Sequence, residues 1–340
     1  MTLESPIPPA PAPKPVRESP RAWPLVLALL IGFALPVVTC LVLMVTGALS
    51  LQLLTLGRSP SVPSVSSGGT GPAVALIRVN GVIVSGRSSP FDTASAASDN
   101  IIDEINQAKN DPSVRAIVLM VNSPGGSVIG SDVIYRALKD AGKPVVVMMG
   151  ETAASGGFYI SMAGQWIVAN PNTLTGSIGV ISEFPNASGL LQKVGVDFVV
   201  VTSGPRKDIG SPYREMTADE RAYWQSIVDE TYQGFVAIVA EGRHKTVDEI
   251  KPLADGGVYT GRQALKLGLV DQLGYDDDAI AKAAELGGIT GKPRIVEYRR
   301  TPTLLDVLNN MSQSRSLVPS LSEVMDLIGH PTLSARWIGQ

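Results

Sequence analysis

The chain has 340 residues, 44% of them apolar and 17% charged, which suffices for one large domain or two ordinary ones. A net charge of −3 gives no basic footprint for nucleic acid. One cysteine, Cys40, excludes a disulfide framework and a cysteine-based zinc site, and the only histidines are His244 and His330.

Residues 1–22 are rich in proline and read as a disordered cytoplasmic tail. No charged residue occurs between Arg21 and Arg58, and residues 25–48 are almost wholly apolar. A bilayer core needs roughly 20 such residues as helix, whereas the apolar region of a cleaved signal peptide usually runs about 7–15. The run therefore predicts a single transmembrane anchor over residues 23–50, with a cleaved signal peptide as the alternative. Lys14, Arg17 and Arg21 precede it, so the positive-inside rule places the N-terminus in the cytoplasm. The rest of the protein is then extracytoplasmic, held at the cell (inner) membrane. Residues 51–72, with repeated Ser, Gly and Pro, read as a linker.

From residue 74 the pattern becomes strand–helix alternation. Buried strands are predicted at 74–79, 116–121 and 144–149, with helices at 101–109 and 131–141 between them, and further strands at 166–169 and 197–202. This order predicts an α/β domain with a largely parallel sheet, over residues 73–298. Capping boxes, Thr217 with Glu220 and Thr260 with Gln263, open a long helix to about residue 241 and a shorter one to about Gly268. Residues 299–340 form a C-terminal tail without a clear element order.

Three places can carry chemistry. The segment ETAASGGFYI, residues 151–160, puts Ser155 at a strand-to-helix turn, where helical N–H groups favour negative charge. Gly156 and Gly157 allow a sharp turn that leaves the hydroxyl accessible. An ordinary N-cap serine reads the same way, and the pattern is not the G-x-S-x-G elbow of a histidine triad. The segment NSPGGS, residues 122–127, exposes consecutive N–H groups at Gly125 and Gly126 that suit an oxyanion, a phosphate or simply a tight turn. Neither histidine falls near a turn of this sheet, so a base must come from elsewhere. A lysine serves where burial and positive neighbours favour its neutral form. Lys207, in a loop after a strand, is by composition a solvated loop lysine.

In chain order, the segments NSPGGS, TAASGGFYIS (152–161), TLTGSIGV (173–180), SGPRKDIGSPYREMT (203–217) and GGVYTGRQALKLGLVDQLG (256–274) resemble the short-form bacterial signal peptide peptidase A family over residues 73–298. That resemblance implies a ClpP/crotonase-like fold, no metal or organic cofactor, and a serine endopeptidase using a Ser–Lys dyad. Ser155 would be the nucleophile, Lys207 the general base, Ser177 the residue orienting the lysine amine, and Gly125 and Gly126 the oxyanion donors. Ser177 also reads as a turn cap. Asp208 and Arg214 match family loop residues and read as structural, as does the segment around Ala264, Leu265, Leu267 and Leu269. The resemblance further implies peptide substrates, either residual signal peptides or unfolded envelope proteins, and a homo-oligomeric ring with active sites shared between subunits. It leaves open whether residues 317–328 approach the active site. Two rivals are a crotonase-type acyl-CoA enzyme and a catalytically silent membrane scaffold of the same fold.

Overall fold

The computed structural model describes residues 38–47, 62–67, 71–89, 92, 94–299 and 333–336, in two units, 1–58 and 59–340. In the first unit residues 38–47 form helix α1, with Leu41, Val42, Leu43 and Met44 exposed. Among the described residues no helix is long and apolar enough to cross a membrane, and most of the anchor expected over 23–50 lies outside them.

The second unit is built on a largely parallel sheet. Strands β2 (Ala73–Asn80), β5 (Val114–Ser123), β7 (Val145–Ala154) and β8 (Trp166–Ala169) pair side by side and parallel. β13 (Arg294–Arg299) adds parallel to β2, and β12 (Gln272–Leu273) parallel to β8. β1 (Val62–Ser67), inside the expected linker, closes the edge antiparallel to β13. β5 reads Val-Arg-Ala-Ile-Val-Leu-Met-Val and is buried along almost its whole length. Parallel strands covered on both faces require such continuous apolar runs.

One face is covered by α2 (Ser98–Asn110), α3 (Val128–Lys139), α4 (Gly156–Ser161) and the end of α6 (Ala218–Gly242). In α2 the buried Ile101, Ile105 and Ala108 recur at helical spacing. The other face receives α9 (Asp276–Leu286) through Ala279, Ala283 and Ala284, small residues that bring the helix close to Val118 and Met148. Both expected capping boxes are present, at Thr217 with Glu220 and at Thr260 with Gln263, the latter opening α8 (Gly261–Leu267). In α8 Ala264 is buried and Leu269 beyond it packs in the core, while Leu265 faces outward. Arg243, with its side chain 9% exposed, joins Asp271 at 2.6 Å and ties this segment to the end of α6.

A smaller sheet stands at one end, in the order β10 (Ile181–Ser182), β14 (Leu333–Arg336), β6 (Gly125–Ser127), β3 (Val82–Val84), β4 (Ser95–Ala97). The strand expected at 197–202 is absent. After α5 (Ser188–Val194) these residues join no sheet and leave Val199, Val200 and Val201 exposed. Their apolar, β-branched composition suits a strand, but among the described residues no neighbouring edge supplies its hydrogen bonds.

Candidate active site

Two registers bring the site together. Ser123 at the end of β5 pairs with Ala153 near the end of β7, so the glycine turn after Ser123 lies beside the turn after Ala153. Ala154 pairs in turn with Gly176 in β9 (Leu174–Gly176), which sets Ser177 next to Ser155.

Ser155 has φ 54° and ψ −116°, a backbone conformation rare for a residue with a side chain. Its N–H donates to the Gly176 carbonyl at 2.8 Å, and its own carbonyl accepts from the Tyr159 N–H at 2.8 Å. The hydroxyl caps no N–H of α4, so the N-cap reading does not describe this serine. Gly157 follows because a Cβ there would stand 2.6 Å from the Ser123 carbonyl oxygen. Ser155 is only 1% exposed, and it opens onto a cavity of about 450 Å³. Accessibility, expected from the glycines, is thus restricted to that cavity.

Ser177 also has a positive φ, 49°, and its N–H donates to Gly257 O at 2.7 Å. It lines the same cavity as Ser155. Gly126 sits on β6, where φ 153° and a Cβ position 2.1 Å from Ile83 O leave no room for a side chain. The Gly125 N–H donates to the Ser123 hydroxyl at 3.1 Å. Of the two expected oxyanion donors, Gly125 is therefore already engaged.

Lys207 is not brought to this cavity. It lies exposed in the turn 203–210, where its N–H donates to Gly204 O at 3.1 Å. This turn is fastened to the start of α6. Arg214 donates to both Asp208 oxygens at 2.8 Å each, and to the Glu220 oxygens at 2.8 and 2.6 Å. Arg206 lies 4.3 Å over the Tyr223 ring. The Arg214 guanidinium, helped by the Thr217 N–H, holds the Glu220 carboxyl down to about 2, and it also lowers that of Asp208. Asp208 and Arg214, read from the sequence as structural, meet in these ion pairs, and what they brace is the lysine's own turn.

The remaining walls were not singled out in the sequence. Gln225, Val228, Asp229 and Tyr232 of α6 line the cavity, with Asp255 opposite. The spacing of the four α6 residues puts them on one helical face but does not say what that face meets. Tyr232 is fixed by a 2.8 Å bond from its hydroxyl to Ala254 O. Two carboxylates and no Lys, Arg or His line this space among the described residues. His244 sits just past the end of α6, and His330 lies outside the described residues. No group of three or more metal-ligating side chains occurs among the described residues.

The C-terminal tail enters the same region. β14 lies antiparallel to both β6 and β10, with Ala335 opposite Gly126 and Leu333 opposite Ser182. The glycine turn and β10 are thus the two edges of a slot that accepts an extended chain. Residues 317–328 lie outside the described residues.

A largely parallel α/β sheet with a buried serine at a strand end beside a two-glycine turn is an architecture of the ClpP type, and residues 87–174 match the Clp protease family. Residues 137–290 match Peptidase family S49. Protease 4 of Salmonella typhi is 41% identical over 261 residues, 75% of this chain and 41% of that relative. A relative in Enterococcus faecium bearing the name signal peptide peptidase SppA is 36% identical over 244 residues, 71% of each chain. Serine protease SPPA, chloroplastic, of Arabidopsis thaliana is 32% identical over 249 residues, 71% of this chain and 37% of that relative. The chain spans about two fifths of the length of the Salmonella relative and under two thirds of a Methanocaldococcus jannaschii relative. The chain belongs to peptidase family S49.

Proposed function

We propose that the protein is a membrane-anchored serine endopeptidase that cleaves extended peptides with Ser155 as nucleophile and Lys207 as general base. The observation that carries this reading is the strained, buried Ser155, which shares one cavity with Ser177 beside the Gly125–Gly126 turn. A substrate adds as a strand between β6 and β10, the place β14 takes. Its scissile carbonyl then lies near the Gly126 N–H, and Ser155 attacks as the amine of Lys207 takes its proton. The Gly126 N–H stabilises the oxyanion, the lysine ammonium gives its proton to the leaving amine as the peptide C–N bond breaks, and water hydrolyses the acyl-enzyme with the neutral amine again as base.

Lys207 reaches Ser155 from a second copy of the chain. Its exposed turn, the acidic cavity without a cation and the unpaired apolar stretch around Val199–Val201 support this arrangement. An amine entering the cavity leaves water, which favours its neutral form. Asp229 and Asp255 attract the incoming ammonium but oppose its deprotonation, so burial has to supply the neutral form, and Ser177 orients it. The apolar run over 23–50 anchors the protein with its N-terminus in the cytoplasm and the catalytic domain outside. Substrates are then remnants of signal peptides or unfolded envelope proteins.

The test is cleavage of a fluorogenic apolar peptide and of unfolded casein by the full chain in detergent, beside Ser155→Ala. Wild type is expected to cleave both, and Ser155→Ala to lose at least about a thousandfold. Equal rates for the two proteins would reject the reading.

A further inference from the structure

Residues 253–257 supply one wall of the cavity onto which Ser155 opens, through Ala254, Asp255 and Gly256. Three side chains bond this short segment. The Tyr259 hydroxyl donates to Leu253 O at 3.1 Å, the Tyr232 hydroxyl donates to Ala254 O at 2.8 Å, and the Asp255 carboxylate accepts the Gly257 N–H at 2.9 Å. The segment in turn bonds the turn of Ser177. Gly257 O accepts the Ser177 N–H at 2.7 Å, and the Gly256 N–H donates to Ile178 O at 3.2 Å. These bonds extend, past its end, the ladder of β9 with β11 (Val258–Thr260), in which Val258 faces Gly176.

Of these side chains, Tyr232 reaches in from another element. On α6 the residues before it, Gln225, Val228 and Asp229, face the cavity, while Phe235, Val236 and Val239 after it are buried in the core. Tyr232 packs against the same core, so its hydroxyl is aimed from a helix that the core holds. Ala254 is 4% exposed, and a buried carbonyl needs a partner. Ser177 has a φ of 49°, which residues with side chains rarely adopt, so its backbone keeps this shape only while its surroundings enforce it. Next to it in the chain is Gly176, whose carbonyl accepts the Ser155 N–H.

We infer that Tyr232 is a positioning residue of the active site: through Ala254 and Gly257 it fixes the backbone of Ser177, and with it the hydroxyl that orients the lysine amine. The inference rests on the peptidase reading above and deepens it by one residue that acts through another. The peptide slot lies between β6 and β10 and shares none of these bonds. Loss of the Tyr232 hydroxyl therefore acts on the chemical step and leaves peptide binding intact.

The experiment compares the full chain in detergent with Tyr232→Phe, Ser177→Ala and the double variant, on one fluorogenic peptide. Tyr232→Phe keeps the ring and is expected to lower kcat about five- to tenfold, the size of one part-buried hydrogen bond, with KM unchanged. Combined with Ser177→Ala it should cost nothing further, because the residue it acts through is already gone, whereas independent losses would multiply. Amide hydrogen exchange is followed in the same proteins. Tyr232→Phe should speed exchange over residues 173–180 while that of α3 stays as in wild type. If wild type cleaves no peptide, the peptidase reading fails, and the exchange result alone decides whether Tyr232 holds the Ser177 turn. Multiplied losses in the double variant, an unchanged kcat, or exchange over 173–180 that matches wild type would overturn the inference. So would acceleration spread over the whole domain, which marks a loss of stability alone.

Discussion

The turn that carries Ser155 and the turn that carries Lys207 are built in opposite ways. Ser155 is locked by the sheet: its neighbours pair on both sides, its N–H is bound to Gly176, and its strained backbone is held by packing all round. Lys207 projects from an exposed turn fastened only to the start of α6, by Arg214 bridging Asp208 and Glu220 and by Arg206 over the Tyr223 ring. A nucleophile needs fixed geometry toward the oxyanion donors, which one chain can supply by itself. On the proposed mechanism, a lysine on a braced but exposed turn stays solvated until it is buried, which would couple its activation to assembly.

The sharpest way to break that comparison is to separate the two turns onto different molecules. Lys207→Ala should lose at least about a thousandfold in kcat. Mixed and reassembled with Ser155→Ala, it should regain part of the wild-type rate, because some sites then receive an intact serine and an intact lysine. No recovery in mixed assemblies would place the base in the same copy as its serine.

A smaller loss is expected from the glycine turn, which belongs with the locked half of the site. Gly126→Ala drives a Cβ toward Ile83 O and displaces the N–H, and turnover should fall by about 10²–10³. Thermal melting is measured alongside, since the clash is with backbone. A variant that melts like wild type and keeps full turnover would remove Gly126 from the mechanism.

The braced half is probed at Arg214. Arg214→Gln should lower kcat by about tenfold with little change in KM, because the lysine turn loses its fastening while the peptide slot stays intact. It has a second signature in stability. Glu220 is held near 2 against its ordinary 4.5, so the ion pair stabilises the fold above pH about 4.5 and that contribution is lost as pH falls toward 2. The fall in Tm over this window should be shallower in Arg214→Gln than in wild type. Identical acid profiles would mean that Arg214 does not hold Glu220.

The mildest effect lies away from both turns and serves as a control. Glu104 on α2 is pushed up to about 8, first by burial and then by the nearby charges of Glu297 and Asp103. A carboxyl raised in the folded state costs stability progressively as pH climbs from its unfolded value of about 4.3 toward 8. Glu104→Gln should therefore raise Tm by about 2–4 °C at pH 8, with no gain at pH 4 and no change in cleavage. A gain independent of pH would refute this account of Glu104.

Much of this was legible along the chain because it is local. The strands at 74–79, 116–121 and 166–169 and the capping boxes at Thr217 and Thr260 depend on residues only a few positions apart, and each appears where expected within the usual uncertainty of element ends. The 197–202 stretch misled for the same reason. Its β-branched residues describe a strand, but a strand exists only if some edge receives it. The tail strand at Leu333–Arg336 escaped notice because its partners lie some 150 to 210 positions earlier. The cavity walls on α6 were missed because nothing in the spacing of Gln225, Val228, Asp229 and Tyr232 says what that face meets.

By itself, then, the sequence determined the α/β class, the serine at a strand end and the glycine turn, all matters of residue type and short-range pattern. Only the tertiary structure decided that Ser155 and Ser177 share a cavity, that Gly125 is already engaged and that Lys207 stands apart. Those facts depend on which strand pairs with which and in what register. Register is set by the packing of the whole sheet, and no short stretch of chain contains it.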